Sequence, residues 1–232
     1  MNSMILKLSL LLAVALVAPG AFARDETPDT MLNAVTAEVM SILKQDSESV
    51  ACMRVKAVDL VETKVLPLFD FSRMAQIALA RNWRFASAEQ QATLIAEFKT
   101  SLLRTYTAAL SNYRDRVIEF KRVRMSAGDT EVRVKSEVKQ TGAERMRIDY
   151  DMELTPAGWK VYDIKVGGVS LITNYRESFA DTVRDEGMDG LIKSLSDRNR
   201  QLDSAIKPGK TRFLDQSRMM FAMLQSALQG RR

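Results

Sequence analysis

The chain has 232 residues, 46% of them hydrophobic and 27% charged, with 34 Lys and Arg against 29 Asp and Glu. That balance suits one sizeable globular domain and excludes both a disordered charged chain and a polytopic membrane protein. The absence of histidine and the single Cys52 remove Ser-His and Cys-His nucleophiles, the common zinc ligand sets, c-type haem attachment and any disulfide within the chain.

The first residues set the compartment. Lys7 precedes an apolar run from Leu8 to Ala18, which Pro19 and Gly20 break before Ala21-Phe22-Ala23. This is the three-part layout of a secretory signal, with small residues at the two positions a signal peptidase reads. The run is too short to cross a hydrocarbon core of roughly 30 Å as a helix. No cysteine follows it to carry a lipid anchor. Residues 1–23 are therefore expected to be removed after Ala23, leaving an exported body, 24–206, and a tail, 207–232. The tail holds six basic residues and only Asp215, so the body is close to neutral. The body's charges are interleaved rather than clustered, which argues against a nucleic-acid partner.

The body opens with helical patterning. Met31, Leu32, Val35, Val39, Ile42 and Leu43 form the apolar stripe of a helix from Asp29 to Asp46. A second helix is expected from Val50 to Val65, stopped by Pro67, and Asp70 is placed to cap a third over Phe71 to Leu79. Ser87 and Gln90 have the spacing of a capping box. The helix they open carries Leu94, Ile95, Phe98, Leu102, Leu103, Tyr106 and Leu110 on one face.

Beyond that helix the period switches to two. Ile118 and Phe120 alternate with Glu119 and Lys121, and Val132, Val134 and Val138 alternate with charged residues. The most regular run is Met146, Ile148, Tyr150, Met152 and Leu154, interleaved with Arg145, Arg147, Asp149, Asp151 and Glu153. A last strand, Trp159 to Val166, follows the turn at Pro156-Ala157-Gly158. Short links containing Gly128, Gly142 and Gly158 favour an antiparallel meander of four strands, with one wet face and one apolar face. Gly167-Gly168 reads as a bend into helix, which resumes over Ser170 to Asp185 and again over Met188 to Asp197. The class is α+β: N-terminal helices, a four-stranded antiparallel sheet and C-terminal helices that cover its apolar face.

Several segments in this order resemble one family. They are Leu66-Pro67, Asp70-Phe71 and Met74; Trp83-Arg84; Leu103-Arg104-Thr105-Tyr106; Ile148-Asp149-Tyr150; and Gly158-Trp159-Lys160-Val161-Tyr162-Asp163. Gly168-Val169-Ser170-Leu171, Asn174-Tyr175-Arg176 and Phe179 complete the series. The pattern is similar to that of the MlaC, or toluene-tolerance auxiliary, family of periplasmic phospholipid-binding proteins, over roughly 29–200. The resemblance implies a soluble monomer that holds phospholipid as cargo, without metal or cofactor. It implies exchange of lipid between an outer-membrane lipoprotein–porin complex and an inner-membrane ABC transporter with a periplasmic substrate-binding ring, which maintains outer-membrane lipid asymmetry. It also implies a twisted sheet of the NTF2-like cone type whose helices enclose an acyl-chain cavity. One departure stands out: Ala80 and Arg81 occupy a helix turn where the family usually has glycine.

On that resemblance, Phe69, Met74, Ile77, Phe98, Leu102 and Tyr106 are expected to line the cavity from the helices, with Leu171 and Tyr175 further on. Val132, Val134, Met146, Ile148, Tyr150, Met152, Ile164 and Val166 are expected to line it from the sheet. Without the resemblance the same alternation reads as ordinary core. Arg81, Arg84 and Arg176 are candidates for meeting a headgroup phosphate, the competing reading being solvated surface or pairing with Asp70 or Asp163. Trp83 and Trp159 read as packing anchors. In the tail, Phe213, Leu214, Phe221, Leu224 and Leu228 share a face near Lys210, Arg212 and Arg218, which suits an anionic membrane surface, a partner, or the body itself.

Two other functions compete. NTF2-like cones also host enzymes, but catalysis needs an acid or base in the apolar pocket. Here the sheet's apolar face offers only Tyr150 and Tyr162, with the strand carboxylates on the wet side. A chaperone for acylated lipoproteins would want a similar greasy cavity.

Overall fold

The computed structural model describes residues 26–45, 59–110, 116–139 and 145–206. The secretory segment 1–23, most of the second expected helix with Cys52, the Gly142 link and the 207–232 tail lie outside the described residues. Among the described residues no helix is long and apolar enough to cross a membrane.

Helix α1 spans Pro28–Gln45. Its stripe divides between two neighbours: Met31 and Leu32 pack on the sheet, while Val35 and Val39 pack with Leu60 and Val65. The chain then passes through a π-helical turn, Val61–Val65, and a 3-10 turn, Leu66–Leu68. Pro67 sits inside the latter, where its missing N–H cannot serve an α-helical ladder.

Helix α2 covers Phe71–Leu79, with Asp70 as its cap; the Arg73 N–H donates to Asp70 Oδ1 at 2.8 Å. A 3-10 turn, Ala80–Phe85, leads on to helix α3, Ala88–Leu110. The capping box forms reciprocally, with Gln90 N–H donating to Ser87 Oγ at 3.1 Å and Ser87 N–H donating to Gln90 Oε1 at 3.0 Å.

The sheet is an open antiparallel meander in the order β1-β2-β3-β4-β5. Its strands are β1 Val117–Phe120, β2 Glu131–Lys139, β3 Met146–Thr155, β4 Gly158–Val166 and β5 Val169–Ser170. Four strands match the alternation in the sequence. The fifth is a correction: two residues pair back onto Lys165 and Val166 after the Gly167-Gly168 bend, too short to show any period. On the apolar face, Val132 opposes Met152, Val134 opposes Tyr150, and Ser136 opposes Ile148, which opposes Val166.

A register shift between Asp151 and Met152 changes the reading of β4. Tyr150 faces Ile164, but Met152 faces Val161 rather than Tyr162. The bulge keeps Trp159, Val161, Ile164 and Val166 on the apolar side and leaves Tyr162 on the other. There the guanidinium of Arg73 lies 3.8 Å from the Tyr162 ring centroid. The expectation that Tyr162 lies on the apolar face is therefore corrected.

The opposite face is not simply wet either. Asp149, Asp151 and Asp163 are buried. Asp151 accepts from Arg133 Nε at 2.5 Å and Lys165 Nζ at 2.6 Å, and Asp163 Oδ1 accepts from the Ile172 N–H at 3.2 Å. Arg73 pairs with both Glu131 and Glu153.

Helix α4 spans Thr173–Ile206, its first N–H donating to Ser170 Oγ at 2.9 Å. It breaks at Gly187, where φ is 76° and ψ −178°, between the two helices expected from the sequence. The second half runs along α3 through polar ties: Gln90 to Asp189, Asn199 to Glu97, and Arg104 to Asp203.

Candidate functional site

Two apolar clusters meet in this structure. The helical one contains Met74, Leu79, Leu94, Phe98, Leu102, Ile172, Phe179, Leu191 and Leu195; the sheet one contains Leu32, Val134, Met152, Trp159 and Val161. Phe69 packs against both. The segment carrying it bridges to Val161, and the Asp70 N–H donates to the Val161 carbonyl at 2.9 Å. The ring of Phe69 stacks with Phe71 at 5.8 Å between centroids. This short parallel bridge joins the helical layer to the edge of β4.

The expected lining residues divide by burial. Met74, Phe98, Val134 and Met152 are at most 1% exposed. They are packed core in this structure. Leu102 is buried too. Phe69, Ile77, Tyr106, Leu171 and Tyr175 are half-buried on the rim of the helical cluster. Val132, Tyr150 and Ile164 hold the same position on the sheet cluster.

Met146, Ile148 and Val166 are half-buried and belong to neither cluster. They lie where β3 begins and β4 meets β5, at one end of the apolar face, around Ser136 and the buried Val138. The apolar face thus carries partly uncovered side chains at this end, while at the other Trp159 is buried and its partner Leu154 is exposed. Leu171 stands beside this end, its N–H donating to the Ile164 carbonyl at 2.7 Å. Tyr175 follows one helical turn later, its ring edge-on to Phe98 at 5.0 Å and 5.4 Å from Phe179.

Tyr106 and Tyr175 both pack against the helical cluster. Burial, the largest influence on each, pushes both phenols above the usual tyrosine range. Arg198 on α4 acts on both by charge. Nothing in the sequence singled it out, because it sits in the solvated-looking run Asp197-Arg198-Asn199-Arg200.

The three headgroup candidates are not gathered here. Arg81 and Arg84 are exposed in the 3-10 turn at the C-terminal end of α2, whereas Phe69 adjoins its other end. Arg176 donates through Nε and Nη2 to the Ile77 carbonyl at 3.3 and 3.2 Å, tying α4 to α2. None of the three pairs with Asp70 or Asp163, which serve as backbone caps. Trp159 is buried in the sheet cluster and Trp83 packs on the helical one, as anchors should.

Fold and site together define a class: an α+β protein whose antiparallel meander presents a partly uncovered apolar strip beside a helical layer. The chain belongs to the MlaC protein family, whose profile matches residues 33–197. The toluene tolerance protein ttg2D of Pseudomonas putida is 26% identical over 167 residues, covering 71% of this chain and 76% of that protein. A phospholipid-binding protein from Ralstonia solanacearum, solved in complex with a phospholipid, is 37% identical with a TM-score of 0.68. That comparison covers 77% of this chain and 99% of the other.

Proposed function

We propose that this chain is a periplasmic phospholipid carrier, exported by its N-terminal segment and acting without catalysis. Acyl chains lie against the half-buried strip of Met146, Ile148 and Val166 and extend toward Tyr150, Ile164, Leu171 and Phe69. The carrier exchanges its cargo, as a monomer, between an outer-membrane lipoprotein–porin complex and the substrate-binding ring of an inner-membrane ABC transporter. The observation that carries this reading is the strip itself, in a chain 37% identical to a protein that holds a phospholipid.

The energetics favour such a design. At about 0.8 kcal/mol per CH₂, two chains of some fifteen methylenes represent on the order of 24 kcal/mol of transfer free energy. A lipid leaves a membrane slowly unless an apolar surface replaces what it gives up. Unbranched Met146 adapts to the irregular shapes of acyl chains.

Two features support a non-catalytic role. The bulge in β4 removes Tyr162 from the apolar face. Tyr106 and Tyr175, with their pKa values raised, stay protonated at neutral pH and cannot act as bases there.

Native mass spectrometry of protein purified without detergent tests the reading. A bound mass in the range of a diacyl phospholipid is expected, and uniformly empty protein overturns the carrier.

A further inference from the structure

The Ala80–Phe85 turn displays the most exposed large apolar side chain among the described residues: Phe85 keeps 80% of its surface in solvent. A 3-10 helix turns about every three residues, so side chains three apart stand one above the other. The turn therefore has three edges. Trp83 and the buried Ala86 make the inward one, with Trp83 packed on the helical cluster. Arg81 and Arg84 make the second, and Asn82 and Phe85 the third. Gln91 clamps the turn from α3, its Nε2 donating to the Trp83 carbonyl at 3.1 Å and to the Ala86 carbonyl at 3.2 Å. The Ala86 N–H also donates to the Trp83 carbonyl, at 3.3 Å. Phe85 is thus held out from the surface by its anchored neighbours.

The edge beside the ring is cationic. Arg81 and Arg84 are exposed and make no ion pair among the described residues. The next carboxylate along the chain is Glu89, in the first turn of α3, where the helix dipole suits it. Asp189 accepts from Gln90 Nε2 at 2.8 Å.

Two stacked guanidiniums beside one protruding ring match the surface of an anionic bilayer. Planar forks meet phosphates, and an aromatic ring enters the boundary between headgroups and acyl chains. A protein partner fits less well, because a stable interface buries about 800 Å² per side around a packed centre. A single turn with one apolar side chain supplies little of that.

We propose that the Ala80–Phe85 turn docks the protein on anionic phospholipid surfaces, with Phe85 inserted and Arg81 and Arg84 bound to lipid phosphates. The phosphates these arginines meet belong to the bilayer rather than to the cargo, in keeping with their place at the end of α2 away from Phe69. This surface goes beyond the carrier reading and does not depend on where cargo lies.

Flotation of the exported chain, 24–232, with phosphatidylcholine vesicles tests the assignment, with and without phosphatidylglycerol. Binding should require phosphatidylglycerol and weaken as salt is raised. Phe85→Ser should lower the affinity about tenfold, and Arg81→Gln with Arg84→Gln about thirtyfold. Phe85→Trp should show a fluorescence blue shift on the anionic vesicles as its ring leaves water. Lys135→Gln, which removes an exposed cation from the sheet, should bind as the parent does. Far-UV circular dichroism confirms that each variant is folded.

A parent that ignores anionic vesicles overturns the docking surface. So do folded Phe85 and arginine variants that bind as tightly as the parent, a result that would assign binding to another part such as the 207–232 tail. Self-association of the parent in place of vesicle binding, abolished by Phe85→Ser, would give the turn to a second copy and also overturn the proposal. Loss of bound phospholipid from folded Phe85→Ser protein, before any vesicle is added, would move the turn into the cargo site and overturn it likewise.

Discussion

Asp151 on β3 stands opposite Asp163 on β4, two buried carboxylates facing each other beside the register shift. Like charges in that position repel unless each is answered. The Asp163 carboxylate answers by capping Ile172, and Asp151 by binding Arg133 and Lys165 at once. Burial by itself would raise the Asp151 pKa, but the hydrogen bonds from those two cations outweigh it and hold the carboxyl below its usual range. The charge pattern therefore secures the bulge that sends Tyr162 to the polar face.

A carboxylate with a depressed pKa contributes stability above its unfolded-state value and loses it as pH falls through the folded one. For Asp151 the contribution should be full at neutral pH and fade below about pH 4, the ordinary aspartate range. Urea unfolding midpoints measured from pH 6 to pH 3 should fall more steeply for the parent than for Asp151→Asn. At pH 7 the variant should be less stable by roughly 2 kcal/mol, the scale of a lost hydrogen bond to a charged group. Parallel pH profiles would rule out Asp151 as a major acid-sensitive group.

Ala80 ends α2 at φ 49° and ψ −122°, the described non-glycine residue with positive φ. It stands where the family resemblance led us to expect glycine. A Cβ in that backbone conformation costs roughly 1–2 kcal/mol. Ala80→Gly is therefore predicted to raise the thermal unfolding midpoint, although glycine gives back part of the gain through its freer unfolded chain. The side chain is exposed, so no packing is lost. A lower midpoint in calorimetry would show that the turn is not strained.

Phe69 is the side chain that packs on both apolar clusters, and the two tryptophans report on them separately: Trp83 on the helical one, Trp159 on the sheet. Phe69→Ala should destabilise the protein by about 3 kcal/mol, in line with loss of an aromatic ring at a packed junction. It should also uncouple the layers. In Trp83→Phe and Trp159→Phe backgrounds, the remaining tryptophan follows one cluster at a time. Their urea transitions are expected to coincide with Phe69 present and to separate without it. Coincident transitions in the Phe69→Ala variants would mean that the joint lies elsewhere.

Much of this architecture was legible because local rules agree with it. The Asp70 and Ser87 caps, the Gly158 turn and the alternation over β3 each follow from one short stretch of chain. The bulge was not legible, since the apolar residues Val161 and Ile164 are three apart and Tyr162 fits a strict alternation with Tyr150 equally well on paper. Strand β5 was missed because two residues carry no period. Burial of Asp151 depends on cations from two other strands, which sequence spacing does not place. The regular run through Ile148 marked the sheet's apolar face, but which of its residues remain uncovered depends on where α1 and the helical layer stop.

Ile148 offers the most direct test of where lipid lies. It is half-buried on the apolar face, between Ser136 and Val166, and packs with neither cluster. A carboxylate at that position must stay charged against acyl chains or bring water with it, and both disfavour cargo. Because the site is not fully packed, Ile148→Asp should fold, with a stability loss smaller than the same change at the buried Met152 would cause. Arg147→Asp serves as the control, since its exposed side chain points from the other face. Lipid extracted from each purified protein and quantified as phosphate per chain should drop at least tenfold for Ile148→Asp, equivalent to about 1.4 kcal/mol. Arg147→Asp should stay at the parent's level. A folded Ile148→Asp protein that carries as much lipid as the parent would move the acyl chains off this strip.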